Sequence, residues 1–599
     1  MCGILVSNSN KDIPYFESRL ETVNFRGPDN LNLYQVNGLT LGHLRLSIID
    51  LEDRSNQPMK SGKYHIVFNG EIYNFKELRD ELLILGYKFK TESDTEVILI
   101  GYQYWGESVV DHLDGMFSFI IYDLNKNVLF GSRDRLGVKP LYYSYVNNTF
   151  EACSQLRPIS ENKQICEEAL NMYYDLGYIP APYSIYKDVK KLKAGNCFRL
   201  DLELGDLKTW PYWDIKPLLK DDFNSIRKEE LFSILEDSVN KRLISDVPLC
   251  VFLSGGIDST LVAKIANDKK TNLASYTIGF NSKELDETKK ATLISKKLRL
   301  NNKIYRFDNQ DLIAELKKHV LVFDEPFSDS TSIGTLLVNK NASKKITVAL
   351  SGDGGDESFF GYNHFVWLKY YLLIEFIPRK VRVFLSKILL ELSKLSGKQK
   401  LFNISKLLSG SRIDLMKNVF LGFNRLSLKK NDFWFDKHFR KYLSYSTSPY
   451  QQLSDLTTKL WLEGDSNVKV DRASMAYSIE VRSPFLDYKL IEKMREINVS
   501  LRYRKNILKK ILTDIGFEKK FFDKKKGFTM PIEEWTKKDL KELIITELSD
   551  EFLYSLPGFN VQKFKKMLTN HMNGKTNYSS FIWRIFILKL WFNDISIEK

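Results

Sequence analysis

Residue 2 of the chain is a cysteine, followed by Gly3 and Ile4. A small residue at position 2 favours removal of the initiator methionine. Cys2 would then carry a thiol of pKa about 8.5 and an α-amine of pKa about 8 on one residue, nucleophile and base together. Much further along, Leu253-Ser254-Gly255-Gly256-Ile257-Asp258-Ser259 lies between an apolar strand-like run and a helical pattern. Its glycines let backbone amides approach an anion, Ser254 and Ser259 add hydroxyl donors, and the following helix turns its positive end to the same point. Asp258 suits a magnesium ion riding on phosphates. A second cluster, Ser351-Gly352-Asp353-Gly354-Gly355-Asp356-Glu357, also follows a strand-like run. Acids this close repel one another unless a cation or donors sit among them, and Asp356 joins Asp258 as a candidate metal ligand. The Walker pattern GxxxxGK[ST] is absent: Gly574-Lys575-Thr576 has Thr569 where the first glycine is required. The phosphate chemistry is therefore of another kind.

Two styles of sequence position these residues. Up to about residue 205, short strand-like runs such as Leu39–Leu44, Tyr64–Gly70 and Met116–Tyr122 predict an α+β layered domain, with a helix over Asn74–Leu85 ending at Gly86. The polar stretch 206–225, with Pro211 and Pro217, reads as a linker. From 226 to 599 helical patterns alternate with β-branched runs at Leu249–Leu253, Leu273–Ile278 and Ile346–Leu350, which predicts a parallel sheet covered by helices. Loops at the carboxyl ends of such strands meet in one crevice. Residues 365–470 are largely helical and basic.

A length of 599 residues exceeds one hydrophobic core and predicts two or three domains. The net charge of +14 is carried by scattered lysines, so it argues for a charged surface and against a nucleic-acid partner. The basic stretch Arg379–Lys387 reads as a solvated helix face, or as a surface for an anionic acceptor or partner. The cysteines (Cys2, Cys153, Cys166, Cys197, Cys250) form no CxxC pair, which excludes a disulfide framework or zinc site. The N-terminus lacks signal-peptide character. The apolar run Phe581–Phe592, broken by Arg584 and Lys589, falls short of the about 20 residues of a membrane span and predicts a buried helix. The expectation is a cytoplasmic protein with no membrane span.

SGGxDS is the signature of ATP pyrophosphatases, which cleave ATP to an adenylate and pyrophosphate. The whole chain resembles the glutamine-dependent asparagine synthetase family: a class II glutamine amidotransferase domain, then an ATP-pyrophosphatase synthetase domain. The N-terminal motifs are Met1–Ile4, Arg26-Gly27-Pro28-Asp29, His43–Ile48, Asn69-Gly70-Glu71-Ile72-Tyr73-Asn74, Ser93-Asp94-Thr95-Glu96 and Arg133–Gly137. Later motifs are Arg242–Pro248, Asp471–Ala476, Glu480–Asp487 and Lys525-Lys526-Gly527-Phe528. The resemblance implies an N-terminal-nucleophile four-layer αββα sandwich over residues 2–205. It implies that Cys2 attacks the glutamine side-chain amide, with Asn69 and Gly70 as oxyanion donors; one such donor is worth about 2.7–4 kcal/mol of barrier. Glutamine would be held by Arg45 at its carboxylate, by Glu71 and Asp94 at its ammonium, and along Leu46, Ser47, Ile48 and Ile49. ATP would lie on Leu253, Ser254, Gly255, Gly256, Asp258, Ser259, Ile278, Ser351 and Gly352, with Mg2+ on Asp258 and Asp356. Asp353 is implied as catalytic, and Lys525 as the lysine balancing charge as pyrophosphate leaves, with Lys524 and Lys526 open as alternatives in register.

The implied reaction joins glutamine, aspartate and ATP. Aspartate attacks the α-phosphorus to give β-aspartyl adenylate, and ammonia passed through an internal channel displaces AMP. A homodimer stays open as the assembly. Two positions depart from the family pattern. Gln155 stands after Ser154 where Glu is usual, and Gly334 in Ser332-Ile333-Gly334-Thr335 stands where Pro is common. The latter leaves room for a second acceptor class, such as a uronic acid sugar of surface polysaccharide. Ring-forming β-lactam relatives need no ammonia and typically lack the N-terminal cysteine.

Overall fold

Strands β1 (Gly3–Ser7), β2 (Asn30–Val36), β3 (Leu39–Arg45), β4 (Met59–Ser61), β5 (Tyr64–Ile72), β6 (Gly115–Asp123), β7 (Val128–Arg133), β8 (Tyr142–Val146), β9 (Thr149–Cys153), β10 (Val189–Lys191), β11 (Asn196–Asp201) and β12 (Asp206–Pro211) build two antiparallel sheets. Their orders are β10-β8-β9-β1-β3-β2 and β12-β11-β7-β6-β5-β4. The computed structural model describes residues 2–159, 164–218, 223–270, 272–279, 286–307, 312–396, 399–423, 425–428, 432–518, 521–522 and 529–597.

Strand alternation sorts the side chains into layers. Ile4 and Val6 of β1 enter a core between the sheets with Val67, Ile120 and Leu129. Leu5, between them, faces the other way and packs with Phe16 and Leu20 of the helix Ile13–Glu21. On the second sheet Ile66 and Phe68 pack beneath Leu78 and Leu82 of helix Phe75–Ile84 and Val97 and Ile98 of helix Asp94–Trp105. The result is the expected αββα sandwich.

The expected linker 206–225 is corrected in its first part. Asp206–Pro211 is β12, paired antiparallel with β11. The Gly205 N–H closes on Asp201 O at 2.9 Å, with Gly205 at φ 68°. The polar cluster that reads as a boundary is therefore a hairpin turn, where glycine supplies the positive φ.

The second domain opens with helix Lys228–Arg242. Its sheet comprises β13 (Leu249–Phe252), β14 (Ala274–Gly279), β15 (Asn301–Arg306), β16 (Val348–Leu350) and β17 (Glu480–Arg482) in the order β15-β14-β13-β16-β17. All four pairings are parallel. The order reverses at β13, so the loops after β13 and β16 flank the switch point. β15 and β17 are not legible as runs of apolar residues. The rest is largely helical, and the C-terminal helix Ser579–Ile597 buries Ile582, Trp583, Phe586 and Trp591. No described helix is long and apolar enough to cross a membrane.

Candidate active sites

β1 begins one residue after Cys2, so the middle of the first sheet fixes the cysteine between β9 and β3. Its backbone N–H donates to Asn69 Oδ1 at 3.0 Å. The other end of that amide, Asn69 Nδ2, is buried with no partner among the described residues and stays available as a donor. A Cβ at Gly70 would come within 2.1 Å of Met116 O, so only glycine lets β5 lie this close to β6. Burial pushes the Cys2 thiol up, against a Leu46 backbone hydrogen bond and the Arg45 charge.

Cys2, Arg45, Leu46, Ile48, Ile49, Gly70, Glu71 and Asp94 line one cavity. Arg45 is fixed there by the loop after β3: its Nη1 donates to Glu52 O at 2.9 Å and Asn56 Oδ1 at 2.7 Å, and its Nη2 donates to Asp50 O. Ser47 is not among the lining residues; its N–H donates to Asp29 Oδ2 at 2.7 Å. Asp94 opens its helix behind the Ser93 cap, whose Oγ accepts the Thr95 N–H. Asp94 Oδ2 accepts the Ile72 N–H at 3.0 Å. Burial raises the Asp94 carboxyl to about 6, with that hydrogen bond opposing.

One wall of this cavity comes from the other domain. Glu480 of β17 lines it, a residue whose place in the Glu480–Asp487 motif carries no sign of this role. Arg482, fully buried, donates through Nε to Glu480 Oε1 at 2.6 Å and through Nη2 to Glu71 Oε2 at 2.9 Å. Burial raises the Glu71 carboxyl well above the carboxylate range despite Arg482. Burial works the same way on Glu480, but Arg482 prevails and holds it below that range. No local sequence signal marks such a contact, because its partners are separated by hundreds of residues.

Arg26 makes a second tie. Its Nε donates to Cys2 O at 3.1 Å, while Nη1 and Nη2 grip the Asp471 carboxylate at 2.9 and 3.1 Å. Gln155 explains its departure from the family's Glu. Its Oε1 accepts from Arg26 at 3.1 Å while its Nε2 donates to Asp324 Oδ2 at 3.1 Å and to Val322 O. A carboxylate could not donate to Asp324.

At the switch point the two phosphate loops touch. A Cβ at Gly352 would meet Ser259 N at 2.7 Å, and one at Gly355 would meet Asp258 Cγ at 2.7 Å. Ser254 Oγ and Ser259 Oγ lie 3.1 Å apart at the N-terminus of helix Ile257–Lys269. Leu253 O accepts the Thr277 hydroxyl at 2.7 Å, which places Leu253 beside Ile278 on adjacent strands. Ser351 N–H donates to Arg482 O at 2.9 Å, and Ser351 Oγ meets Ser483 Oγ at 2.8 Å. Lys505, assigned no role from sequence, is buried with its Nζ on both Asp258 Oδ2 and Asp356 Oδ1. Two carboxylates converging on one cation are a donor set that fits a divalent metal. Lys525, Lys524 and Lys526 lie outside the described residues.

Beside Asp353, Lys469 Nζ bonds Asp329 Oδ2 at 2.8 Å and Thr331 Oγ1 at 3.1 Å. Asp465 Oδ1 is buried with no partner among the described residues. Burial, then the charge of Asp329, raises the Asp465 carboxyl well above the usual range. Gly334 is buried in the helix Thr331–Ala342 that follows.

An αββα domain with a cysteine at position 2, joined to a parallel-sheet domain with paired glycine–acid loops, defines the class of glutamine-hydrolysing, ATP-dependent ligases. Residues 1–213 match the family model for a glutamine amidotransferase domain, and residues 230–593 that for asparagine synthase. The chain belongs to the glutamine-hydrolysing asparagine synthetase family. It is 33% identical to asparagine synthetase [glutamine-hydrolyzing] 1 of Bacillus subtilis, over 96% of this chain and 92% of that protein. It is 29% identical to asparagine synthetase [glutamine-hydrolyzing] 3 of the same organism, over 88% of each. Among solved structures, glutamine phosphoribosylpyrophosphate amidotransferase from B. subtilis aligns with a TM-score of 0.29 and 13% identity, covering 51% of this chain and 81% of that one.

Proposed function

We propose that the chain makes asparagine from aspartate, with glutamine as nitrogen donor and ATP converted to AMP and pyrophosphate. Cys2 Sγ attacks the glutamine amide, with the freed α-amine as base. Asn69 Nδ2 and the Gly70 N–H receive the oxyanion. Arg45 takes the glutamine carboxylate, and Asp94 and Glu71 its ammonium. The acyl-enzyme is then hydrolysed to glutamate.

At the second site the loops after β13 and β16 hold the ATP phosphates. Asp258 and Asp356 would hold Mg2+, which supplies charge neutralisation on the departing pyrophosphate. Lys505 adds a buried positive charge at the same point. Asp353, whose charge acts on Lys469, serves as the catalytic acid at the acceptor. A cavity whose walls mix apolar Met116, Leu136, Val138 and Leu486 with charged Asp114, Asp134, Arg135 and Arg242, and with Ser483, offers a route for ammonia. Met116 abuts Gly70 and Ser483 bonds Ser351, so its walls reach both chemistries.

The observation that carries aspartate is the mixed-charge cluster beside Asp353. Lys469 and Thr331 suit an α-carboxylate. Asp465, buried and partly unsatisfied, is completed by an α-ammonium. A uronate offers no ammonium. Incubation with glutamine, magnesium-ATP and aspartate should yield asparagine, AMP and pyrophosphate in equal amounts. AMP formed only with another carboxylate would replace aspartate while leaving the ligase mechanism intact.

A further inference from the structure

Helix Arg379–Ser396 packs through half-buried Val383, Leu389 and Leu390 yet carries a second apolar stripe on its solvent side. Its solvent side carries Val381 (46% exposed), Phe384 (63%), Leu385 (39%), Ile388 (44%), Leu392 (46%) and Leu395 (85%). These recur at intervals of three and four, so they form one stripe along the helix. The side turned to the protein carries Arg382, Ser386 and Ser393, all buried. Arg382 Nη1 donates to Tyr371 Oη at 3.3 Å, and the Ser386 and Ser405 hydroxyls meet at 3.5 Å. Tyr371 belongs to the preceding helix Asn363–Ile374, which is also packed through its inward face. That helix and the turn after it expose Trp367, Tyr370, Leu373 and Phe376, the last at 89%. Apolar surface this extensive has an occupant in use.

Charge identifies the occupant. Exposed Lys369, Arg379, Lys380, Lys387 and Lys400 surround the apolar residues. Glu391 is the only acid in the sequence of helix 379–396. Lys380, Lys387 and Glu391 flank the stripe along one edge, so the edge is net positive and an antiparallel twofold pairing of two copies brings two net-positive edges together. An anionic lipid surface accepts the whole pattern. Aliphatic and aromatic side chains enter the acyl boundary, tryptophan and tyrosine sit at headgroup level, and lysine stems extend along the apolar surface to reach phosphates. We infer that the face formed by helices 363–374 and 379–396 docks the enzyme on an anionic membrane surface, lying along it without spanning.

The test is flotation of the full-length protein with vesicles of phosphatidylcholine alone or mixed equally with phosphatidylglycerol. The expected result is binding to the anionic vesicles that exceeds binding to neutral ones by about tenfold or more and weakens with added salt. Phe384→Ser with Leu392→Ser, and separately Lys380→Glu with Lys387→Glu, should each reduce that binding by about tenfold. These positions are exposed and remote from both sites, so ATP–pyrophosphate exchange should be unchanged, which also confirms folding. Absence of binding to anionic vesicles, or binding that neither variant reduces, overturns the inference. A dimer in light scattering that the Phe384/Leu392 variant splits, without vesicle binding, assigns the face to a second copy instead.

Discussion

Arg482 reaches across the domain boundary to Glu71, Nη2 to Oε2 at 2.9 Å, and joins the Cys2 cavity to β17, whose neighbour β16 leads into the second glycine–acid loop. The next residue, Ser483, bonds Ser351. Removing one partner of a buried ion pair costs about 3–5 kcal/mol, because the other charge is left uncompensated. Arg482→Ala leaves both Glu71 and Glu480 without their cation. It should lower the melting temperature and raise KM for glutamine; Arg482→Lys, which keeps charge but not the fork, should recover part of both. An R482A enzyme with unchanged melting and unchanged KM would dismiss the contact as incidental.

Cys2→Ala removes the nucleophile and nothing that the second domain needs. Glutamine-dependent synthesis should fall to background, with ammonia-dependent synthesis within about twofold of wild type, because exposed or site-local truncations rarely couple over such distances. Loss of both activities would mean that the sites are not separable.

Asp94 gives a pH dependence with a definite sign. Its folded carboxyl is raised from 3.8 to about 6 by burial. The native state thus holds that proton more tightly than the unfolded chain. The stability Asp94 contributes is fully present below about pH 4 and is lost as pH rises through about 6. At neutral pH the ionised form costs on the order of 3 kcal/mol. Asp94→Asn should therefore melt higher than wild type at pH 7, with the gap closing below pH 4, while losing glutamine affinity. In the wild type, glutaminase kcat/KM should fall as pH drops through about 6, where Asp94 no longer offers a carboxylate to the ammonium. Stability curves and pH–rate profiles check both halves.

Gln155→Glu restores the family's usual residue and should nonetheless weaken this protein. It replaces the donor to Asp324 with a second buried carboxylate, a loss of about 1–3 kcal/mol that Arg26 offsets in part. The destabilisation should shrink at low pH, as one of the two acids takes up a proton. Denaturant unfolding at two pH values reads this directly.

Lys505→Met should abolish ATP–pyrophosphate exchange and leave glutaminase activity in place. The substitution removes the cation between Asp258 and Asp356. Retained exchange would assign the charge-balancing role to the lysines of 524–526 alone.

The sequence made the local chemistry legible. Cys2, the Asn69-Gly70-Glu71 run and the two glycine–acid loops are short motifs, and the fold brings Cys2 to Asn69 and one loop against the other. What it could not show are contacts between distant segments. Glu480 enters the Cys2 cavity from β17, a three-residue strand with no apolar run, and Lys505 reaches the glycine–acid loops from the end of a short helical turn. β12 was hidden by a hairpin glycine and polar residues that resemble a linker. The outward apolar stripe of helix 379–396 has the ordinary period of a core helix, and only its solvent exposure sets it apart.

The central claim is that nitrogen released at Cys2 reaches the acyl-adenylate without entering solvent. Glutamine labelled with 15N in its side-chain amide, supplied with aspartate, magnesium-ATP and excess unlabelled ammonium, tests it. Internal passage gives asparagine carrying the label with little dilution, one AMP per asparagine. Asparagine whose label matches the diluted solvent pool would contradict it.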